Sequence, residues 1–334
     1  QGWYPLLEGE GVAVKRLGIT TTVPSEVLLA GGYQPLDLNN VFVTAPDPER
    51  LIGLAERMGF PQNCCAWIKG IYGVCLEQGV DTVLGVTTGD CSNTLMLLEV
   101  LKLKGVQVIA FAFPASPEAH LVQRHLEALA RELGTSLKEA ESVAQRLMPV
   151  RRLAWQLDDL TWRQGVVSGQ ENHQWLVSTS DFNGDYQKYG RELAQFLHQV
   201  RQRRAYPEDM LRLAYIGVPP VFAQDLYSFL ERQGARVVFN EVQRQFSMPC
   251  PGHSLGEQYA NYTYPYSVSP RVDDILHQLR LRRIDGVIHY VQAFCHRGIA
   301  DIIFRHSFHC PILTLEGNDD FYLNQHLRTR IEAY

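Results

Sequence analysis

The sequence predicts a two-domain α/β protein, each domain built on an open, mostly parallel sheet with helices on both faces. Short apolar, β-branched runs such as DTVLGVTT (81–88) and DGVIHYVQ (285–292) alternate with helical stretches, and strand–helix alternation builds a parallel sheet. The alternation comes in two blocks, separated by the more polar, mainly helical residues 135–205. The chain has 334 residues, 46% of them hydrophobic, enough for two cores.

The first domain is expected over residues 1–134. VPSEVLLAGGYQPLDL (23–38) reads as a helix with Pro24 in its first turn and Gly31 or Gly32 at its end, leading into a strand. CCAWIKGIYGVCLEQG (64–79) reads as a helix, and DTVLGVTT as a buried strand. SNTLMLLEVLKLKG (92–105) is a helix with Ser92 or Asn93 as N-cap. VQVIAFAFP (106–114) is the next strand and PEAHLVQRHLEALARELG (117–134) the next helix. Residues 135–205 read as a helical connector. The second domain, 206–334, opens with strand LRLAYIGVP (211–219), helix FAQDLYSFLERQG (222–234) and strand ARVVFNEV (235–242). A long loop holds Cys250. Helix RVDDILHQLRLRRI (271–284), strand DGVIHYVQ, helix CHRGIADIIFRHSFH (295–309), strand PILTLEG (311–317) and a terminal helix complete it.

A formal charge of −5, with the 31 Lys and Arg scattered, argues against a nucleic-acid binder, whose footprint is a basic face. RQRR (201–204) is the densest cluster and reads as a solvated helix end. No run reaches the eighteen or so apolar residues of a membrane span. The opening QGWYPLLEGEG lacks a basic segment followed by an apolar run, so no leader and a cytoplasmic location are expected. The absence of G-x-G-x-x-G, G-x-x-x-x-G-K-[ST] and G-x-S-x-G disfavours nucleotide-loop and α/β-hydrolase chemistry.

Seven cysteines, an odd number without regular spacing, read as reduced thiols, metal ligands or core residues rather than a disulfide framework. Parallel α/β folds place their chemistry at the carboxyl ends of the strands. Cys91 follows strand 81–88, Cys295 follows strand 285–292, and Cys250 lies after strand 235–242. Cys64 and Cys65 open a helix that precedes a strand, so they share that edge. Cys75 lies about 15 Å further along the same helix, and Cys310 precedes a strand at the opposite edge. These two read as core thiols, while Cys250, in MPCPGH, is either a ligand or a turn thiol. Dispersed thiolates from two domains suit an iron–sulfur cluster held between them, with an iron left free for substrate. Structural zinc favours close C-x₂-C pairs, which are absent. Helix N-termini at this edge stabilise thiolates and an anionic cluster.

These residues resemble a known family, that of the 2-hydroxyacyl-CoA dehydratase components, the benzoyl-CoA reductase cluster subunits and the double-cubane cluster proteins. LGITTTVPSEVLLAGGYQPLDL is similar to its opening. CCAWIKGIYGVCLEQGVDTVLGVTTGDCSNTLMLLEVLK is similar to its first cysteine helix, strand and second cysteine turn. RLAYIGVP, RIDGVIHYVQAFC, CPILTLEG and the closing RTRIEAY resemble its second half. The resemblance implies two flavodoxin-like (Rossmann-like) domains with an iron–sulfur cluster between them. It also implies a homodimer and low-potential electrons from an ATP-hydrolysing iron–sulfur activator protein. Ligand positions carry over to Cys64 or Cys65, to the turn after strand 81–88, and to Cys295. The commoner turn is Thr-Cys-Asp; here Thr88-Gly89-Asp90-Cys91 places Gly at the usual ligand and Cys two residues later.

The double-cubane branch joins two four-iron units through a sulfide. At a helix start, Cys64 and Cys65 would serve one unit each. With Cys91, Cys250 and Cys295 they supply five ligands, and a sixth is Cys75, Cys310 or a non-cysteine group. If Cys75 is a ligand, its helix breaks at Gly70 or Gly73. This excess of cysteines favours an 8Fe-9S double cubane over a single 4Fe-4S cluster. The expected activity is an iron–sulfur reductase acting on a small-molecule substrate. The alternatives are a radical-type 2-hydroxyacyl-CoA dehydratase component with one four-iron cluster, a non-catalytic cluster or electron carrier, and a zinc-binding structural protein. His296, beside Cys295, is a candidate proton donor or a helix-start cap. Glu316 ends a strand at the carboxyl edge, and Glu26 stands in a first helical turn; both are candidate catalytic carboxylates or ordinary polar residues. The tyrosine-rich EQYANYTYPYSVSPR (257–271) is expected to line a pocket or a subunit interface.

Overall fold

The computed structural model describes residues 15–334. The opening segment QGWYPLLEGEG, read above for a leader, lies outside them. No helix among the described residues is long and apolar enough to cross a membrane. The chain divides into two compact units. One comprises the described residues up to Val150 with Ser178–Tyr189 and Cys250–Tyr266; the other comprises Arg151–Val177, Gly190–Pro249 and Ser267–Tyr334.

The first unit contains β1 (Lys15–Ile19), α1 (Ser25–Ala30), β2 (Tyr33–Asp37), α2 (Leu38–Thr44), α3 (Pro48–Met58), α4 (Ala66–Glu77), β3 (Thr82–Thr88), α5 (Asn93–Leu103), β4 (Gln107–Ala112) and α6 (Ala119–Glu132). Its four strands are all parallel, in the order β2-β1-β3-β4. Leu17, Ile19, Val83, Leu84 and Val86 are fully buried in it, as a sheet with both faces covered requires. Helix α7 (Leu137–Asp159) runs from the first unit into the second, followed by a π-helical turn, α8 (Gly169–Val177) and α9 (Tyr186–Val200).

The second unit contains β5 (Leu211–Gly217), α10 (Ala223–Arg232), β6 (Ala235–Asn240) and α11 (Glu241–Phe246). After α12 (Leu255–Ala260), which belongs to the first unit, come α13 (Val268–Leu281), β7 (Gly286–Gln292), α14 (Ala300–Ser307), β8 (Ile312–Gly317) and α15 (Gln325–Ala333). The strand order, β6-β5-β7-β8 and all parallel, repeats that of the first unit. Ala214, Ile216, Phe239, Ile275, Val287 and Phe304 form its core.

The expected α/β class with parallel sheets holds in both units, and the differences are local. β1, α2 and α3 stand where no element was assigned, and the segment after β6 that was read as a long loop carries α11 and α12. Asp37 caps α2 by accepting from the Asn39 N–H at 2.9 Å, and Asp47 caps α3 by accepting from the Arg50 N–H at 3.0 Å. The expected helix 295–309 is a 3₁₀ turn, His296–Ile299, followed by α14. Helix α4 does not break: Gly70 and Gly73 lie inside one continuous element. A Cβ at Gly70 would lie 2.4 Å from the Phe42 ring, and one at Gly73 would lie 2.4 Å from the Leu51 carbonyl oxygen. These glycines serve close approach to α2 and α3 rather than a kink.

Candidate functional site

In each unit the chain leaves two neighbouring strands in opposite directions. β1 connects outward to β2, while its neighbour β3 connects the other way to β4; β5 and β7 repeat the arrangement. Open α/β sheets bind ligands outside the carboxyl ends of strands at such a switch point. Cys91 follows β3 and Cys295 follows β7. Each thiol therefore stands after the third strand of its own unit, at the switch point of its own sheet, and each is partly exposed.

The paired cysteines precede α4 rather than lying inside it. Cys65 is the N-cap residue, with extended backbone (φ −54°, ψ 133°), and is buried, while Cys64 is half-buried. The Cys64 N–H donates to the Pro61 carbonyl at 3.1 Å, and the Lys69 N–H to the Cys65 carbonyl at 3.3 Å, so a turn runs directly into the helix. Partial burial pushes the Cys64 thiol pKa up; the Lys69 ammonium and the Cys65 N–H act against this. Lys69 is only 2% exposed, and its Nζ donates to Glu56 Oε1 at 2.7 Å and to the Gln62 carbonyl at 3.1 Å. Sequence reading missed it, because a lysine within a helix ordinarily faces water. The signal was its position inside the apolar run AWIKGIYGVC. Cys75 lies further along the same helix, buried, its thiol pushed up to about 12 by desolvation.

The turn after β3 rests on the tyrosine-rich segment. Gly89 has φ +99°, and a Cβ there would lie 2.8 Å from Pro265 Cβ and 3.1 Å from Phe113 Cβ. No ordinary side chain fits, which gives the physical reason for glycine at this position. Asp90 Oδ1 accepts from the Tyr264 hydroxyl at 3.4 Å, and the Thr94 N–H donates to the Cys91 carbonyl at 3.1 Å. Tyr259, Tyr262, Tyr264 and Tyr266 are buried, and three of these rings pack around Phe113. The segment thus supports the Cys91 turn as packed core of this unit. Glu26 is fully buried and accepts from the Tyr259 hydroxyl at 2.6 Å and from Gln258 Nε2 at 2.9 Å. Cys250 is exposed, its carbonyl accepting from Asn261 Nδ2 at 3.1 Å.

In the second unit Cys295 caps the 3₁₀ turn His296–Ile299. Its N–H donates to the Gln292 carbonyl at 3.1 Å, and the Ala293 N–H to the Gly317 carbonyl at 2.8 Å. Buried Gln292 accepts from the Tyr290 hydroxyl at 2.9 Å and donates to the Asn318 carbonyl at 3.0 Å. The intervening Phe294 has φ +64°, so the turn is sharp and tied on both sides. His296 and Glu316 are exposed at this edge. Cys310, at the amino edge, packs against the core of the unit.

The sequence-predicted residues thus fall into two sets: Cys64, Cys65, Cys91, Cys250 and Glu26 in the first unit, and Cys295, His296 and Glu316 in the second. Among the described residues, no three His, Cys, Asp or Glu side chains converge at metal-binding spacing. The donor chemistry nevertheless fits an iron–sulfur group. Cys64, Cys91, Cys250 and Cys295 are soft donors, and each is at least partly reachable from solvent.

A family model described as 2-hydroxyglutaryl-CoA dehydratase, D-component, matches residues 20–334. No curated protein sequence matches the chain. Among solved structures, a periplasmic heme-binding protein, BhuT in complex with two hemes, is similar at 13% identity over 96% of each chain. The TM-score is 0.22.

Proposed function

Starting from the chain's membership of the 2-hydroxyglutaryl-CoA dehydratase D-component family, we propose that it is an iron–sulfur enzyme component that reduces a small-molecule substrate. The chain belongs to that family over nearly its whole described length. In this reading Cys64, Cys65, Cys91, Cys250 and Cys295 hold the cluster, and an ATP-hydrolysing iron–sulfur activator supplies the electrons. A homodimer is the proposed assembly. The observation that carries the reading is the matched placement of Cys91 and Cys295 at the switch points of two sheets with the same strand order.

When bound, the group supplies one-electron chemistry at low potential. The chain's own residues hold and tune it. The amino end of α4 favours negative charge beside Cys64 and Cys65. The Gly89–Pro265 contact and the Gln292 hydrogen bonds fix the two turns that present Cys91 and Cys295. His296 and Glu316, exposed at the carboxyl edge, are the proposed carriers of protons to the substrate. Glu26, enclosed by Tyr259 and Gln258, holds α1 against α12.

The number of cysteines supports an 8Fe-9S double cubane, with the adjacent thiols Cys64 and Cys65 serving one four-iron unit each. The burial of Cys65 favours a second reading, a dehydratase component with one four-iron cluster on the four reachable thiols. Iron and sulfide per chain, measured on protein purified without oxygen, separate the two. About eight irons support the double cubane and about four the single cluster; zinc without sulfide rejects both. Cys91→Ser and Cys295→Ser should each lose most of the bound iron, while Cys310→Ser retains it.

A further inference from the structure

A sheet edge presents a row of unpaired backbone groups, and folded chains either block such edges or pair them. The two sheets have four edge strands, and three of these are blocked. In β2, Pro35 carries no N–H, and the Asp37 N–H donates to Asp181 Oδ2 at 2.8 Å. β6 is buried along its whole length, with α8 packed against it. In β8, the Ile312 carbonyl accepts from Arg305 Nη1 at 3.2 Å and the Thr314 carbonyl from Arg330 Nη2 at 2.8 Å.

β4 is the exception. The Gln107 N–H donates to the Asp81 carbonyl and the Phe113 N–H to the Thr88 carbonyl, both towards β3. Backbone groups alternate in direction along a strand, so the N–H and C=O groups of Val108 and Ala110 point outward. They meet no partner among the described residues. The Ala112 carbonyl, next in that row, accepts from His125 Nδ1 at 2.6 Å. The strand QVIAFA has no charge and no proline, the usual devices against pairing, and Ala110 is exposed.

We propose that the β4 edge pairs antiparallel with the β4 edge of a second copy, joining two four-stranded sheets across a two-fold axis. The open stretch is complementary to itself. With the axis at Ile109, Val108 of one copy faces Ala110 of the other, and each such pair exchanges both of its hydrogen bonds. All the free groups of these residues are then used. The axis stands normal to the sheet, so the two copies of α5, which packs on β4, share a face. Met96 and Leu103 of α5 are 60% and 79% exposed and supply apolar surface there. Pairing uses up the open edge, so assembly stops at two copies. The inference rests on the functional reading only for its homodimer, to which it gives a surface.

The experiment uses the full chain purified without oxygen, with mass read by light scattering across a dilution series and iron measured on the same samples. The parent should be a dimer. Ala110→Pro removes an outward N–H that β3 does not use, so the sheet keeps its own ladder. It should raise the dimer dissociation constant about tenfold or more, because each of the two symmetry-related pairs loses a hydrogen bond. Ile109→Cys keeps the answer independent of how that variant folds. The residues facing each other at the axis form a non-hydrogen-bonded pair, with Cα atoms about 4.5 Å apart and within disulfide reach. Mild oxidation should give a covalent dimer that peptide mapping shows to be linked from position 109 to position 109. A parent dimer whose affinity Ala110→Pro leaves unchanged, or which Ile109→Cys does not link, overturns the proposal. A monomeric parent overturns it together with the homodimer of the functional reading. A parent dimer without iron sinks the cluster reading, and the same two variants still decide the pairing.

Discussion

Two glycines in neighbouring helices are expected to respond to the same substitution with opposite signs. Gly53 lies inside α3, and a Cβ there meets only the flexible end of Arg57, with Nη1 at 3.1 Å. Gly53→Ala should therefore gain the helix-propensity difference of about 1 kcal/mol. Gly73 lies inside α4, and its Cβ would sit 2.4 Å from the Leu51 oxygen and 2.8 Å from the Leu51 carbonyl carbon and Cα. Those are backbone atoms of a buried helical residue, so no rotamer change relieves the overlap and the two helices must part. Overpacking of this kind costs about 1–3 kcal/mol, and the propensity gain offsets about 1 kcal/mol of it. Gly73→Ala should then be less stable than Gly53→Ala by about 2 kcal/mol. Urea denaturation of the metal-free protein reads this as midpoints displaced in opposite directions at a common slope. Since α4 begins at the paired cysteines, Gly73→Ala should also bind less iron. A Gly73→Ala protein as stable as Gly53→Ala refutes the claim that the α3–α4 approach requires glycine.

Two more perturbations test other parts of the fold. Burial lowers the His173 pKa from 6.5 to about 4, and the Gln243 amide lies 2.8 Å from Nδ1. The unfolded chain then takes up this proton at a higher pH than the folded one. The stabilisation is complete above about pH 6.5 and is lost as pH falls towards 4, on the order of 3 kcal/mol in all. His173→Gln should flatten this part of the stability–pH curve relative to the parent. At the other end of the chain, the Tyr334 hydroxyl donates to the Pro311 carbonyl at 2.8 Å and accepts from the Val287 N–H at 2.9 Å. Tyr334→Phe should cost about 1–2 kcal/mol, whereas Tyr322→Phe, at an exposed position, should leave the thermal midpoint unchanged.

The regular alternation was legible because buried parallel strands are short, apolar runs between turn signals. TVLGVTT and GVIHYVQ appear as β3 and β7 within a residue of the expected bounds. β1 escaped notice because KRLGI opens with two exposed charged residues and is only three positions long in its buried part. Helices α2 and α3 carried their start signals openly, in Asp37 and in Asp47-Pro48; α2, at seven residues, is too short for its periodicity to stand out, while α3, as long as α5, was legible and went unassigned. At the site, the strand ends located Cys91 and Cys295 from topology alone. The bonding of Glu26, by contrast, depends on partners distant in sequence. Tyr259, for instance, is 233 positions from Glu26, and no local pattern encodes such a pairing.

The Gly89 turn constrains how this chain can change. A left-handed backbone and the contact with Pro265 together bar a side chain at position 89. A Thr-Cys-Asp turn at these positions is therefore out of reach of a single substitution. Exchanging Pro265 for glycine would remove its Cβ but leave its carbonyl oxygen 2.9 Å from a Cβ at position 89, and the φ of +99° unchanged. No change at 265 alone therefore opens position 89 to a side chain, and in this backbone the thiol of the turn is confined to position 91.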